Sequence, residues 1–251
     1  MNNMYRQEEV FERFRNSLIH AEGHLHMVSS VIPSETQAAY FRAMQQERIT
    51  RQRMGIGPVP VDEADEAYRS LCDELSDLNQ KKHSIALLVL AGTIRAYRQL
   101  EAYSGEAEGE LADWVRMAFS EVSISLQVEF LEEPHVLVAS GLGGKGDRMR
   151  FFALFRSNDN IPFEDYQCRF MEKEFAYSLS SEGCEIDRLK VGQQHVELLI
   201  FVPVSVDFFR VITKLVEECN QYGNFLSPQI FVTNAKRMTE DEIEQALSVN
   251  T

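Results

Sequence analysis

The stretch that decides the fold runs His135-Val136-Leu137-Val138-Ala139-Ser140, then Gly141-Leu142-Gly143-Gly144-Lys145-Gly146-Asp147, then Arg148-Met149-Arg150-Phe151-Phe152-Ala153-Leu154-Phe155-Arg156. Its outer parts are apolar, β-branched and aromatic, and its centre is glycine-rich. The pattern reads as strand, turn, strand. Four glycines in six residues can supply positive φ to a hairpin turn. They offer little apolar area, so the tip Gly143–Gly146 is expected to be exposed, mobile and dispensable for folding.

Upstream, apolar residues recur at helical spacing. Phe11, Phe14, Leu18, Ala21, Leu25 and Val28 form one stripe, giving a helix over 7–31 that Pro33 ends. Ser34 with Gln37 forms a capping box for a second helix, which Gly55 stops. After the stiff linker 55–60, a stripe from Ala64 to Ala96 predicts either one helix over 62–103 or two, broken near residues 79–83. Leu111, Trp114, Val115, Ala118 and Phe119 mark another helix. At Ser123 the period changes. Ile124, Leu126, Val128 and Phe130 alternate with polar residues and predict a strand.

Downstream, helices are predicted over 162–179 and 206–222, and strands over 185–191, 195–202 and 229–232. Thr239 and Glu242 form a capping box for a short last helix. The expected fold class is therefore α+β. An α-helical region (1–122) precedes an α+β domain (123–251) with ferredoxin-like βαββαβ order, a mostly antiparallel sheet and an extra N-terminal β-hairpin. That hairpin raises a conflict, because the segment 135–141 and the last strand compete for the same edge of strand 148–156.

The glycine turn matches G-x-G-x-x-G, yet a strand follows it where a dinucleotide site needs a helix N-terminus. Gly146 after Lys145 excludes the phosphate-loop pattern, and no kinase signature lies downstream. What remains is charge. Lys145, Arg148 and Arg150, beside Gly143 and Gly144, form a local positive site on an acidic chain, suited to an anion or an acidic partner. A second basic run, Arg42 to Arg53, reads as solvated helix charge. His20, His24 and His26 are the one metal-like cluster, with His20 and His24 a helical turn apart and no clear third ligand. No metal, cofactor or catalytic residue is expected.

The net charge of −14 argues against nucleic acid and against anionic membrane. The four cysteines lack C-x-x-C spacing, no apolar run approaches the roughly 20 residues of a membrane span, and the N-terminus has no signal-peptide pattern. The expected compartment is the cytoplasm. The expected function is a non-enzymatic interaction or regulatory protein, acting through a protein partner or itself as a homodimer. The alternative is a sensor or enzyme that binds an anionic metabolite or nucleotide, a small molecule, at the hairpin 141–148.

Overall fold

The computed structural model describes residues 24–131 and 135–248, together with Glu12 and Asn16. The fold is mixed α+β, with helices in the N-terminal half and an antiparallel sheet in the C-terminal half. By its contacts the chain divides into two compact units, Glu22–Ala139 and one that takes in Ser140–Thr251. No helix among the described residues is long and apolar enough to cross a membrane.

The first unit holds strand β1 (His24–Met27), helices α1 (Ser34–Met54), α2 (Val61–Cys72), α3 (Leu78–Ala91), α4 (Ile94–Ser104) and α5 (Gly109–Leu131), and strand β2 (His135–Val138). Its core gathers Ile32, Tyr40, Leu71, Ile85, Leu88, Leu100, Trp114 and Met117. The long stripe expected over 62–103 is three helices. Asp77 caps α3 in a capping box with Gln80, and Gly92 ends α3 in the left-handed conformation at φ 59°. The intervening Leu75, counted in the stripe, is 91% exposed. Gly92→Ala should cost about 1 kcal/mol, because a Cβ is disfavoured at positive φ. A thermal melt of that variant checks the value.

Two expectations fail here. The strand over 124–130 is the last part of helix α5. Ala118, Val122 and Leu126 step by four and pack on the helical core, while Ser123 and Ser125 donate hydroxyl hydrogen bonds to the carbonyls of Phe119 and Glu121 four residues back. The alternating pattern was superimposed on a helical one, and tertiary packing selected the latter. Likewise, residues 24–27 are not the end of a helix. They form β1, which pairs in parallel with β2 from His24↔His135 to Met27↔Val138. The rest of the segment 7–31 before residue 24 falls outside the described residues, except for Glu12 and Asn16, which are helical.

The second unit follows the order β3 (Gly144–Lys145), β4 (Arg148–Ser157), α6 (Asp165–Ser181), β5 (Glu185–Val191), β6 (His195–Pro203), α7 (Phe208–Asn220), β7 (Leu226–Thr233), α8 (Glu240–Ser248). Strand β4 pairs antiparallel with β6 on one side and with β7 on the other, and β5 pairs antiparallel with β6. The conflict over the edge of β4 is resolved by dividing it lengthwise. β7 takes Phe152 to Ser157, and the two-residue β3 takes only Arg148 and Met149. The expected hairpin of 135–141 with 148–157 therefore does not form, because its first strand is paired with β1.

Strand alternation gives the sheet two apolar faces. On the back, Phe155 meets Phe175 of α6 with ring centroids 5.1 Å apart, and Phe151 meets Phe208 of α7 at 5.0 Å. On the front, Phe152, Leu154 and Leu199 pack with Leu142 and with Ile243 of α8. The box that caps α8 forms as read. Thr239 N donates to Glu242 Oε2 (2.9 Å) and Glu242 N donates to Thr239 Oγ1 (3.3 Å).

Candidate functional site

Helix α8 covers the front of β4 where Phe152 and Leu154 lie. The strip along β5, with the facing residues of β6 and the start of β4, carries charge instead. Register places its members on one face. Phe201 of β6 is opposite Arg150 of β4 and Glu185 of β5, Leu199 is opposite Arg188, and Glu197 is opposite Lys190.

The predicted cations are all in this strip, and each has a carboxylate partner on β5. Lys145 Nζ lies 2.7 Å from Glu185 Oε1, Arg148 lies 3.2 Å from Glu185 Oε2, and Arg150 pairs with Asp187. Lys145 and Arg150 also sit over the Phe201 ring, at 5.9 and 5.3 Å from its centroid. Such contacts orient a cation over a ring quadrupole. The hydrogen bond from Lys145 holds the Glu185 carboxyl below the usual range. The ε-nitrogen of Arg150 is shielded from solvent and donates to no acceptor in the structure.

The loop beside them departs from expectation. Gly143 and Gly144 are buried, and only Lys145, Gly146 and Asp147 are exposed at the tip. Gly143 O accepts hydrogen bonds from Ser140 Oγ (2.9 Å) and Arg150 N (3.1 Å), and Leu142 N donates to Asn234 O (3.0 Å). Gly141 has the closest approach, since a Cβ there would lie 1.7 Å from Ala235 O. These glycines are part of the packing. Their small size was legible as turn chemistry, but the chain they lie against is about ninety residues away in sequence.

Sequence reasoning missed the centre of the strip. Glu197 is buried, and its Oε1 accepts from Lys190 Nζ (2.9 Å) while its Oε2 accepts from Arg237 (2.7 Å). His195 Nε2 is 3.8 Å from the same carboxylate. Burial pushes the Glu197 carboxyl up, but the hydrogen bonds from Lys190 and Arg237 outweigh it and hold the group below its ordinary range. A Glu in an apolar strand was the available signal, because a buried carboxylate needs partners. Among the described residues Arg188 is exposed and forms no ion pair. The strip and its tip thus hold six cations (Lys145, Arg148, Arg150, Arg188, Lys190 and Arg237) against four carboxylates (Asp147, Glu185, Asp187 and Glu197).

The other sequence candidates lie in the first unit. In the basic run, Arg48 pairs with Glu121, and Arg51 reaches Glu63 at 2.5 Å, so these two are structural ion pairs. His24 and His26 stand two apart on strand β1, so the helical spacing assumed for the cluster does not apply, and His20 lies outside the described residues. Among the described residues no group of three or more His, Cys, Asp or Glu could hold a metal ion.

No family model and no curated protein matches the chain. Two similar solved structures are transposases. One, from Deinococcus radiodurans R1 and provisionally assigned as a transposase, is 15% identical over 41% of this chain and 92% of its own, with a TM-score of 0.36. The other, a REP-associated tyrosine transposase bound to a REP hairpin, is 16% identical over 39% of this chain and 61% of its own, with a TM-score of 0.31. Both neighbours are transposases, where the sequence reading expects a protein that acts through protein partners or self-assembly, with an anionic small molecule as alternative ligand and nucleic acid excluded. The physical flaw in that expectation is averaging. A net charge of −14 describes the whole chain and says nothing of one strip where six cations face four carboxylates.

Proposed function

We propose that this chain contacts nucleic acid through the charged front strip of the second unit. The observation that carries the reading is the local excess of two positive charges around an aromatic ring, Phe201, on a chain that is otherwise strongly acidic. Cations spaced along strands suit a row of phosphates. The present carboxylate partners hold Lys145, Arg148 and Arg150 extended over the sheet, so a phosphate can share a cation already in place. Surface pairs of this kind contribute little to stability, so sharing costs little. On this reading the working compartment is the cytoplasm, where the free cysteines Cys72, Cys168, Cys184 and Cys219 are at home.

Fluorescence anisotropy with single-stranded and hairpin DNA, over a range of salt concentrations, tests this. Two net contacts predict a slope of log K against log salt of about −1.4 on a single strand. Arg188→Glu, at a position without an ion pair, should weaken binding about tenfold and flatten that slope, with the melting temperature unchanged. An affinity indifferent to salt, or to Arg188→Glu, sinks the proposal.

A further inference from the structure

The first unit carries a groove that the front strip does not explain. It lies between α2 and α4, is a shallow depression of about 450 Å³ open to solvent, and is lined by Tyr68, Ile94, Arg95, Arg98, Gln99 and Ala102. Arg95 and Arg98 are one helical turn apart and so share a face of α4. Arg95 is 2.7 Å from Asp65 Oδ2, while Arg98 is exposed and makes no ion pair among the described residues. Gln99 Nε2 donates to Asp65 Oδ1 (2.9 Å), which fixes the amide. That leaves Gln99 Oε1 shielded from solvent with no donor in the structure. Ile94, 54% exposed, and the half-buried Tyr68 supply apolar surface beside these polar groups.

The lining asks for three things in one ligand. An anion satisfies Arg98 and shares Arg95. A flat apolar body fits Tyr68 and Ile94. An N–H or O–H donor satisfies the orphaned Gln99 oxygen once the side chains that screen it from solvent turn aside, and an unmet buried acceptor discriminates strongly for such a donor. A volume of this size accepts a ligand of about nucleotide size. We infer that the groove binds a nucleoside monophosphate unit, with the phosphate on Arg95 and Arg98, the base against Tyr68 and Ile94, and a donor of base or sugar on Gln99. The identification as a phosphorylated strand end rests on the nucleic-acid reading above. A free mononucleotide has the same chemistry.

The test compares two single strands of one sequence, with and without a 5′-phosphate, and deoxyadenosine 5′-monophosphate alone, by anisotropy and calorimetry. The phosphorylated strand should bind about tenfold more tightly, one charge-assisted contact, and Arg98→Ala should abolish the difference. Gln99→Met, of similar volume, should lower affinity for both phosphorylated probes. Arg188→Glu on the front strip should weaken both strands equally and leave their ratio intact, so the two sites fail separately. Binding of the mononucleotide without preference between strands keeps the groove as a mononucleotide site and removes the strand end. Equal affinity for the two strands together with no mononucleotide binding overturns the inference.

Discussion

Gly141→Ala should destabilise the second unit by about 3 kcal/mol, near the upper end of overpacking costs. The cause is contact. A Cβ at Gly141 would lie 1.7 Å from the carbonyl oxygen of Ala235 and 2.5 Å from its carbon. Both obstacles are backbone, so no side-chain rotation relieves the clash. Either the segment 140–142 or the segment 234–235 must move. Such a move breaks the Leu142 N to Asn234 O hydrogen bond and displaces Leu142 from the core it shares with Phe152 and Ile243. A fall of roughly 10 °C in melting temperature is expected for a unit of this size. Two other glycines serve as controls. Gly146→Ala meets nothing within 4 Å but sits at φ +62°, and should cost about 1 kcal/mol. Gly57→Ala meets nothing and has no positive φ, and should be neutral. A melt of Gly141→Ala indistinguishable from that of Gly57→Ala would show that the two segments are not in contact.

Glu197→Gln should cost about 2 kcal/mol at neutral pH, less than the full cost of breaking a buried pair, because Lys190 and Arg237 can turn partly to water. Their side chains are 47% and 39% exposed, against 5% for Glu197. The variant also tests the pH dependence. Hydrogen bonds from Lys190 and Arg237 overcome burial and depress the carboxyl's pKa in the folded state. A depressed folded value means that the contribution is fully present above the unfolded pKa, about 4.3, and is lost as pH falls through the lower folded value. The gap in stability between wild type and Glu197→Gln should therefore be constant from pH 7 to about pH 5 and close below about pH 4. Urea melts at each pH measure it. A gap that widens on acidification would mean that Glu197 is held protonated.

Much of the second unit was readable from residue pattern, because its elements follow local rules. The apolar run from Phe151 to Phe155 can only be a strand with two covered faces, and α6 and α7 cover one while α8 covers part of the other. The Thr239–Glu242 box and the stop at Gly55 are decided within one turn of backbone. The cations Lys145, Arg148 and Arg150 were legible as a group because they crowd a short segment.

What those cations face was not legible. Glu185 and Asp187 lie 37 or more residues further on and reach them only because β5 and β4 both flank β6. The same holds for Glu197, whose partners come from β5 and from the segment before α8. It holds too for residues 135–138, whose β-forming pattern named no partner, so that only the tertiary structure assigned them to β1. Periodicity and capping report on interactions within a few residues of each other. Strand partner, buried ion pair and the close approach of Gly141 to Ala235 depend on which distant segments meet, and that was decided by packing across the whole chain.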